Sequence, residues 1–310
     1  MTSSVEREQR LLRGLLRGTL RLLFSGLIRP PMPIAGQRLL LRALSVATRL
    51  PQGIHRSQAT VGGVPCEWQR PAGESGRVLL YLHGGAYLIG SPATYRAITA
   101  GLAKRCGAAV CVPDYRLAPE HPYPAALEDA LAVYAALLDH GIAARDIVLV
   151  GDSAGGNLLL SAALALPARG LPVPAALVTF SPWTDMSLTH LHQPPAGDPL
   201  LTRAWINQAV ELFCPAGLAP ASAQVSPVNA DLTGLPRLLI QVGEDELLLN
   251  DSLRLAERAR AAGVAVTLQR YPGCWHVFQS HAGVLDVADR ALQEVARFID
   301  QPGDTPCPLS

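Results

Sequence analysis

The chain is short of charge, short of aromatic side chains and almost without lysine. Charged residues make up 16 % of its 310 positions and aromatic residues 5 %. Positive and negative groups nearly cancel, leaving a formal net charge of +1. A nucleic-acid partner needs a basic surface, and this balance gives no reason to expect one. Lys104 is the single lysine; every other basic residue is arginine, a bias of composition rather than a site. Six cysteines (Cys66, Cys106, Cys111, Cys214, Cys274, Cys307) show no C-x-x-C and no metal-ligand spacing. Scattered in this way they read as reduced, mostly buried thiols of a cytoplasmic protein, with Cys274 on a pocket wall. No run approaches the roughly 18 apolar residues of a membrane span. What the chain does have is 49 % hydrophobic residues, ample for a sizeable core.

Charge is unevenly spread. Residues 1–49 hold nine arginines against two glutamates, a net +7 that leaves −6 for the remainder. Arg13, Arg17 and Arg21 recur every four residues, opposite a stripe of Leu12, Leu16, Leu20, Leu23 and Leu27. This is an amphipathic helix. The expected role is a helix lying over the body of the protein; contact with a membrane surface is the alternative.

Pro30 to Pro33 breaks this helix, and a second is expected over 34–50. Residues 58–70 alternate around Gly62-Gly63 as a hairpin. Short apolar strands then alternate with helices: strands at 78–82, 109–112, 147–150, 175–180, 238–242 and 264–271, and helices at 97–106, 123–139, after Ser153, 252–262 and 284–299. Such strands form a mostly parallel sheet of eight, covered on both faces by helices, an α/β class. The alternation fails between Ser181 and Leu235, where Asp198-Pro199 reads as an N-cap and first helical proline before a helix reaching about Phe213. Four parts are expected: N-terminal cap helices (1–52), a core (53–184 and 226–300), a cap insertion (185–225) and a frayed tail (301–310). Strand 264–271 would leave an open sheet edge, a face for a homodimer.

Gly151-Asp152-Ser153-Ala154-Gly155 follows the run Ile147 to Val150 and precedes a helix-like stretch. Strand, G-x-S-x-G, helix is the context of a nucleophile elbow, a turn so tight that flanking side chains would clash. The serine then sits at a helix N-terminus, where negative charge is favoured. A serine nucleophile needs a base, an orienting acid and donors for an oxyanion. The chain order that accompanies such an elbow is serine, acid, histidine. His276, in the loop after strand 264–271, is the expected base; His281 lies nearby in sequence. The acid should follow strand 238–242, where Glu244, Asp245 and Glu246 stand in a row. The short carboxylate of Asp245 is the expected partner, with Glu244 and Glu246 as solvated or pocket-rim charges. Asp251 should cap or decorate the next helix. Upstream, His83-Gly84-Gly85-Ala86-Tyr87 follows strand 78–82, so the oxyanion donors are sought among Gly84, Gly85, Ala86 and Ala154, with His83 structural. Tyr87 and Trp183 are the aromatic residues placed on the pocket wall, with core packing the equal alternative for each.

HGGAY, Asp114 to Glu120 (DYRLAPE), GDSAGG, Gly243 to Glu246 and the late His276 together resemble the hormone-sensitive-lipase group of bacterial esterases over residues 60–300. The resemblance implies an α/β-hydrolase fold with a helical cap, a Ser153–Asp245–His276 triad, no cofactor, and serine-esterase action on small carboxylic esters with short to medium acyl chains. It also implies that YRLAPE supports the oxyanion loop. Where the group has a third glycine this chain has Ala86, whose N–H can still donate if φ is negative. The same triad would serve a lactone or carbamate hydrolase, and some relatives of the group are non-catalytic small-molecule receptors; both readings stay open at the level of sequence.

Overall fold

The computed structural model describes residues 4–45 and 51–301. Its centre is an eight-stranded sheet in the order β1-β2-β4-β3-β5-β6-β7-β8. The strands are β1 (Ile54–Val61), β2 (Val64–Pro71), β3 (Val78–Leu82), β4 (Ala109–Pro113), β5 (Ile147–Asp152), β6 (Ala176–Phe180), β7 (Leu238–Gly243) and β8 (Val266–Tyr271). β1 and β2 form the antiparallel hairpin around Gly62-Gly63, and β2 pairs antiparallel with β4. Every other pairing is parallel.

The apolar runs are explained by burial on two sides. In β3, Leu80 and Leu82 enter one core while Leu79 and Tyr81 enter the other. In β5, Leu149 goes one way and Val148 and Val150 the other. A strand covered on both faces has no reason to alternate in polarity, and these do not. The first core is closed by α4 (Ala125–Asp139), α5 (Ala154–Ala165) and α7 (Leu249–Ala261), the second by α3 (Arg96–Cys106) and α8 (Asp286–Asp300).

Three further helices lie outside this frame. They are α1 (Ser4–Leu20), continued by a wider turn over Arg21–Ser25, α2 (Ile34–Ser45) and α6 (Arg203–Phe213). The expected second helix over 34–50 is seen through Ser45; its residues 46–50 lie outside the described ones, as do Cys307 and the tail from 302. Leu12, Leu16 and Leu20 of α1 pack against Trp275, Phe278 and Leu285, so this helix does lie over the body. Leu27, expected in the same stripe, is exposed because the helical turns end at Ser25. Helix α6 starts later than Asp198-Pro199 suggests. The Thr202 hydroxyl accepts from Trp205 N and is the cap, whereas Asp198 Oδ1 accepts from Leu200 and Leu201 N in the preceding turn. Asp251 does not decorate α7: it is buried, and its carboxylate accepts the N–H groups of Thr184 and Asp185 just after β6.

The parallel register decides where the chemistry falls. Leu82 lies opposite Gly151, Asp152 opposite Phe180 and Gly243 opposite Tyr271. The loops that follow therefore leave the same carboxyl edge of the sheet side by side. Helix α5 sits so close to β3 that a Cβ on Gly155 would overlap the backbone carbonyl oxygen of Leu82. A backbone atom in a central strand cannot step aside. Gly155→Ala is accordingly expected to destabilise the fold by about 3 kcal/mol or more, read as a lowered urea midpoint. An unchanged midpoint would contradict this packing.

Candidate active site

Ser153 occupies the sharp turn between β5 and α5 with φ 52° and ψ −119°. For a residue with a Cβ this is strained backbone, held only because the surroundings over-determine it. Ser153 N donates to Phe180 O at 2.9 Å, and its own carbonyl accepts from Trp183 N at 3.0 Å. Ser153 and His276 face one cavity of about 200 Å³. No direct hydrogen bond joins Ser153 Oγ to the imidazole among the described residues; such bonds commonly tighten only in the substrate complex.

His276 is buried, and its Nδ1 lies 3.1 Å from Glu246 Oε1. The expectation of Asp245 at this position is corrected by the turn that follows β7. Gly243 N donates to Glu246 Oε2 at 3.0 Å, and Asp245 N donates to Cys274 O at 2.9 Å. That backbone path rolls Glu246 inward, where the Ser181 hydroxyl also donates to its Oε2 at 2.7 Å. Asp245 is turned outward and meets Arg17 of α1 at 2.5 Å. The side chain of Glu246 is fully buried, whereas that of Asp245 is 25 % exposed. Glu244 pairs with Arg270 at the surface. The extra methylene of Glu lets a carboxylate reach back across the turn, an advantage that the preference for a short side chain missed.

Burial by itself disfavours a charged imidazole at His276. The hydrogen bond to Glu246 and its negative charge, followed by the fields of Asp198 and Asp152, outweigh that effect and raise the imidazole pKa above its ordinary value. Ser181 joins three parts of the site. It stands at the end of β6 with φ 48°, donates to Glu246 and accepts from Val277 N at 3.2 Å. Asp198 Oδ2 accepts from Leu247 N at 2.9 Å, tying the loop before α6 to the acid turn. His281, the other late histidine, also lines the cavity; burial lowers its pKa.

The loop after β3 is braced from below. Asp152 Oδ1 accepts from Gly84 N at 2.9 Å and from the Tyr81 hydroxyl at 2.7 Å. The Gly84 N–H is therefore occupied, and it leaves the expected donor set. Gly85, at φ 107°, and Ala86, at φ 56°, follow in left-handed backbone. The negative φ expected at Ala86 is not found: the loop stores backbone strain there, and the strained turn still leaves the Ala86 N–H without an acceptor among the described residues, so it stays in the donor set. The N–H groups of Gly85, Ala86 and Ala154 meet no acceptor among the described residues. Burial pushes His83 down to about 4, so its ring is neutral; it is stacked on Tyr115 and bonded through Nδ1 to Gly84 O. From DYRLAPE, Tyr115 donates to His83 O at 2.5 Å and Ala118 N donates to Tyr87 O at 2.9 Å.

Tyr87 and Trp183 are not on the cavity wall. The Tyr87 ring lies 3.8 Å from that of Phe213 and its hydroxyl donates to Asn157, while Trp183 is fully buried and donates to Asp185 O. Cys274 lies in the packing against α1, not on the cavity wall, and burial raises its thiol to about 11. The wall comes instead from Leu20 and Phe24, from Leu41, and from Leu200, Leu201 and Trp205. The period of the N-terminal leucines was the available signal for the first of these; Trp205 carries no local mark.

An eight-stranded, mostly parallel sheet with a serine elbow and a late histidine at its carboxyl edge defines an α/β hydrolase. The family model described as alpha/beta hydrolase fold matches residues 79–280. The chain belongs to that family, in its bacterial hormone-sensitive-lipase branch. It is 42 % identical over 243 residues to an acetyl-hydrolase of Streptomyces hygroscopicus, covering 77 % of this chain and 81 % of the relative. An esterase of Acinetobacter venetianus is 38 % identical over 240 residues, covering 77 % and 79 %. The crystal structure of an esterase from the bacterial hormone-sensitive lipase family superposes with a TM-score of 0.85 at 37 % identity, covering 96 % of this chain and 98 % of that one.

Proposed function

We propose that this protein is a serine carboxylesterase acting on small esters with short to medium acyl chains. The observation that carries the reading is the contact of His276 Nδ1 with the buried Glu246 carboxylate, on a cavity shared with Ser153. Held by Glu246 at Nδ1, His276 keeps Nε2 free to take the proton of Ser153 as its Oγ attacks the ester carbonyl. The tetrahedral oxyanion is met by the N–H groups of Gly85, Ala86 and Ala154, each such donor typically supplying about 2.7–4 kcal/mol. The carbonyl re-forms as the C–O bond to the alcohol breaks, and His276 returns its proton to the leaving oxygen. Water then attacks the acyl-enzyme with His276 again as base, releasing the acid and restoring Ser153. The N-terminal helices and the 185–225 stretch act as the cap, since Leu20, Phe24, Leu41, Leu200 and Trp205 enclose the acyl chain. An apolar space of about 200 Å³ suits a short chain, in keeping with the acetyl-hydrolase name of one relative. The edge strand β8 is the face we assign to a homodimer, by sheet extension.

A p-nitrophenyl ester series from acetate to palmitate tests the reading. The expected optimum lies at octanoate or shorter, with turnover lost in Ser153→Ala. Absence of turnover on every ester would overturn the esterase assignment, and an optimum at palmitate would make the protein a lipase.

The charge around His276 sets a pH dependence. Its raised pKa means that the neutral base forms only above the ordinary histidine range, so kcat/KM should fall on the acid side with a midpoint above 6.5. Residual activity of Glu246→Gln, which removes the negative charge beside the imidazole but keeps the burial, should show its midpoint at lower pH. A midpoint that is the same in both proteins would remove Glu246 as the cause.

A further inference from the structure

Helix α1 carries two leucine stripes, and the fold uses one of them. Leu12, Leu16 and Leu20 turn inward onto the loop that holds His276. Leu11 and Leu15 of α1, and Leu22 in the wider turn that continues it, turn outward and are 70 %, 69 % and 74 % exposed. A spacing of four residues keeps Leu11 and Leu15 on one side of α1, and the exposed Leu22 follows in the turn that continues it. Leu27, Leu39 and Leu44 are exposed nearby in sequence. Six of the eight exposed large apolar side chains among the described residues thus belong to the N-terminal stretch. Isolated exposed leucines are ordinary, but a concentration on one element marks an interaction surface.

The charge beside them selects the occupant. Arg7, Arg10, Arg21, Arg29 and Arg42 are also exposed, in a segment whose net charge is +7. A second copy docking through the same face about a twofold axis would set two basic clusters against each other. An anionic lipid surface accepts both features at once, with leucines in the acyl boundary and guanidinium groups on the phosphates. We propose that the outward face of α1 is a docking surface for an anionic lipid bilayer. The inner side of the same segment lines the catalytic cavity through Leu20 and Phe24, so docking would bring that wall to the interface where apolar esters collect.

Co-sedimentation with vesicles tests the proposal without relying on catalysis. The full chain is expected to bind vesicles of equimolar phosphatidylcholine and phosphatidylglycerol, more weakly as salt rises, and to bind pure phosphatidylcholine less. The variant Leu11→Glu/Leu15→Glu/Leu22→Glu should lose about tenfold or more in the anionic-vesicle partition coefficient. Arg7→Gln/Arg10→Gln should lose a smaller part and flatten the salt dependence. Turnover of a short water-soluble ester and the urea midpoint should stay at parental values in both, which separates lost docking from lost folding. Equal binding by parent and triple variant, or no binding by the parent, would overturn the proposal. So would a self-associated parent that the triple variant converts to monomers, since the face would then belong to a second copy.

Discussion

Replacing Ser153 with Ala is expected to lower kcat on a p-nitrophenyl ester by on the order of 10⁴- to 10⁶-fold. The substitution removes one oxygen and keeps the Cβ, so the left-handed backbone at φ 52° costs no more than before. The bonds that hold the turn, Ser153 N to Phe180 O and Trp183 N to Ser153 O, run through the backbone and persist. Thermal unfolding and KM should therefore stay near the parent's while the acyl-enzyme burst disappears. The remaining rate would come from the oxyanion donors and from positioning of the ester, which still exceed catalysis by water. A loss of less than about tenfold would place the nucleophile elsewhere.

The second large effect separates two adjacent carboxylates. Glu246→Gln is expected to lower kcat by about 10⁴-fold, the size seen when the acid of such a triad becomes an amide and the imidazole is held in the wrong tautomer. The amide would also face the Ser181 hydroxyl and the Gly243 N–H, both of which donate to the native carboxylate. Asp245→Asn should change kcat by no more than about twofold, because a partly exposed ion pair with Arg17 contributes little. Parallel kcat measurements on the two variants check the assignment. The reverse order, with Asp245→Asn the crippled enzyme, would return the acid to the residue expected from sequence.

The contrast between these neighbours shows where local reasoning stops. Glu244, Asp245 and Glu246 lie one residue apart, and nothing in their types tells which faces inward. The choice is made by Gly243 N bonding to Glu246 and Asp245 N bonding to Cys274 O, the latter reaching a loop nearly thirty residues away. Tyr87 and Trp183, for which wall and core were equal alternatives, go to the core for a related reason. Both neighbour catalytic segments in sequence, but Phe213 and Asn157 draw Tyr87 away from the cavity, and Trp183 turns to Asp185 O. Asp198-Pro199 has the composition of a helix start, yet the Asp198 carboxylate is shared with Leu247 N and the helix waits for Thr202.

What the amino-acid sequence determined by itself rested on short-range pattern: the strands, the serine turn and the late histidine. Apolar runs set the strands because both faces of the sheet are buried, and glycines around Ser153 mark a turn no larger residue allows. Chain order and loop position singled out His276. The tertiary structure alone decided which carboxylate touches that imidazole, which side chains wall the cavity, and which leucines of α1 remain outside. Those outcomes depend on how distant backbone segments meet at the sheet edge, and no single segment carries that information.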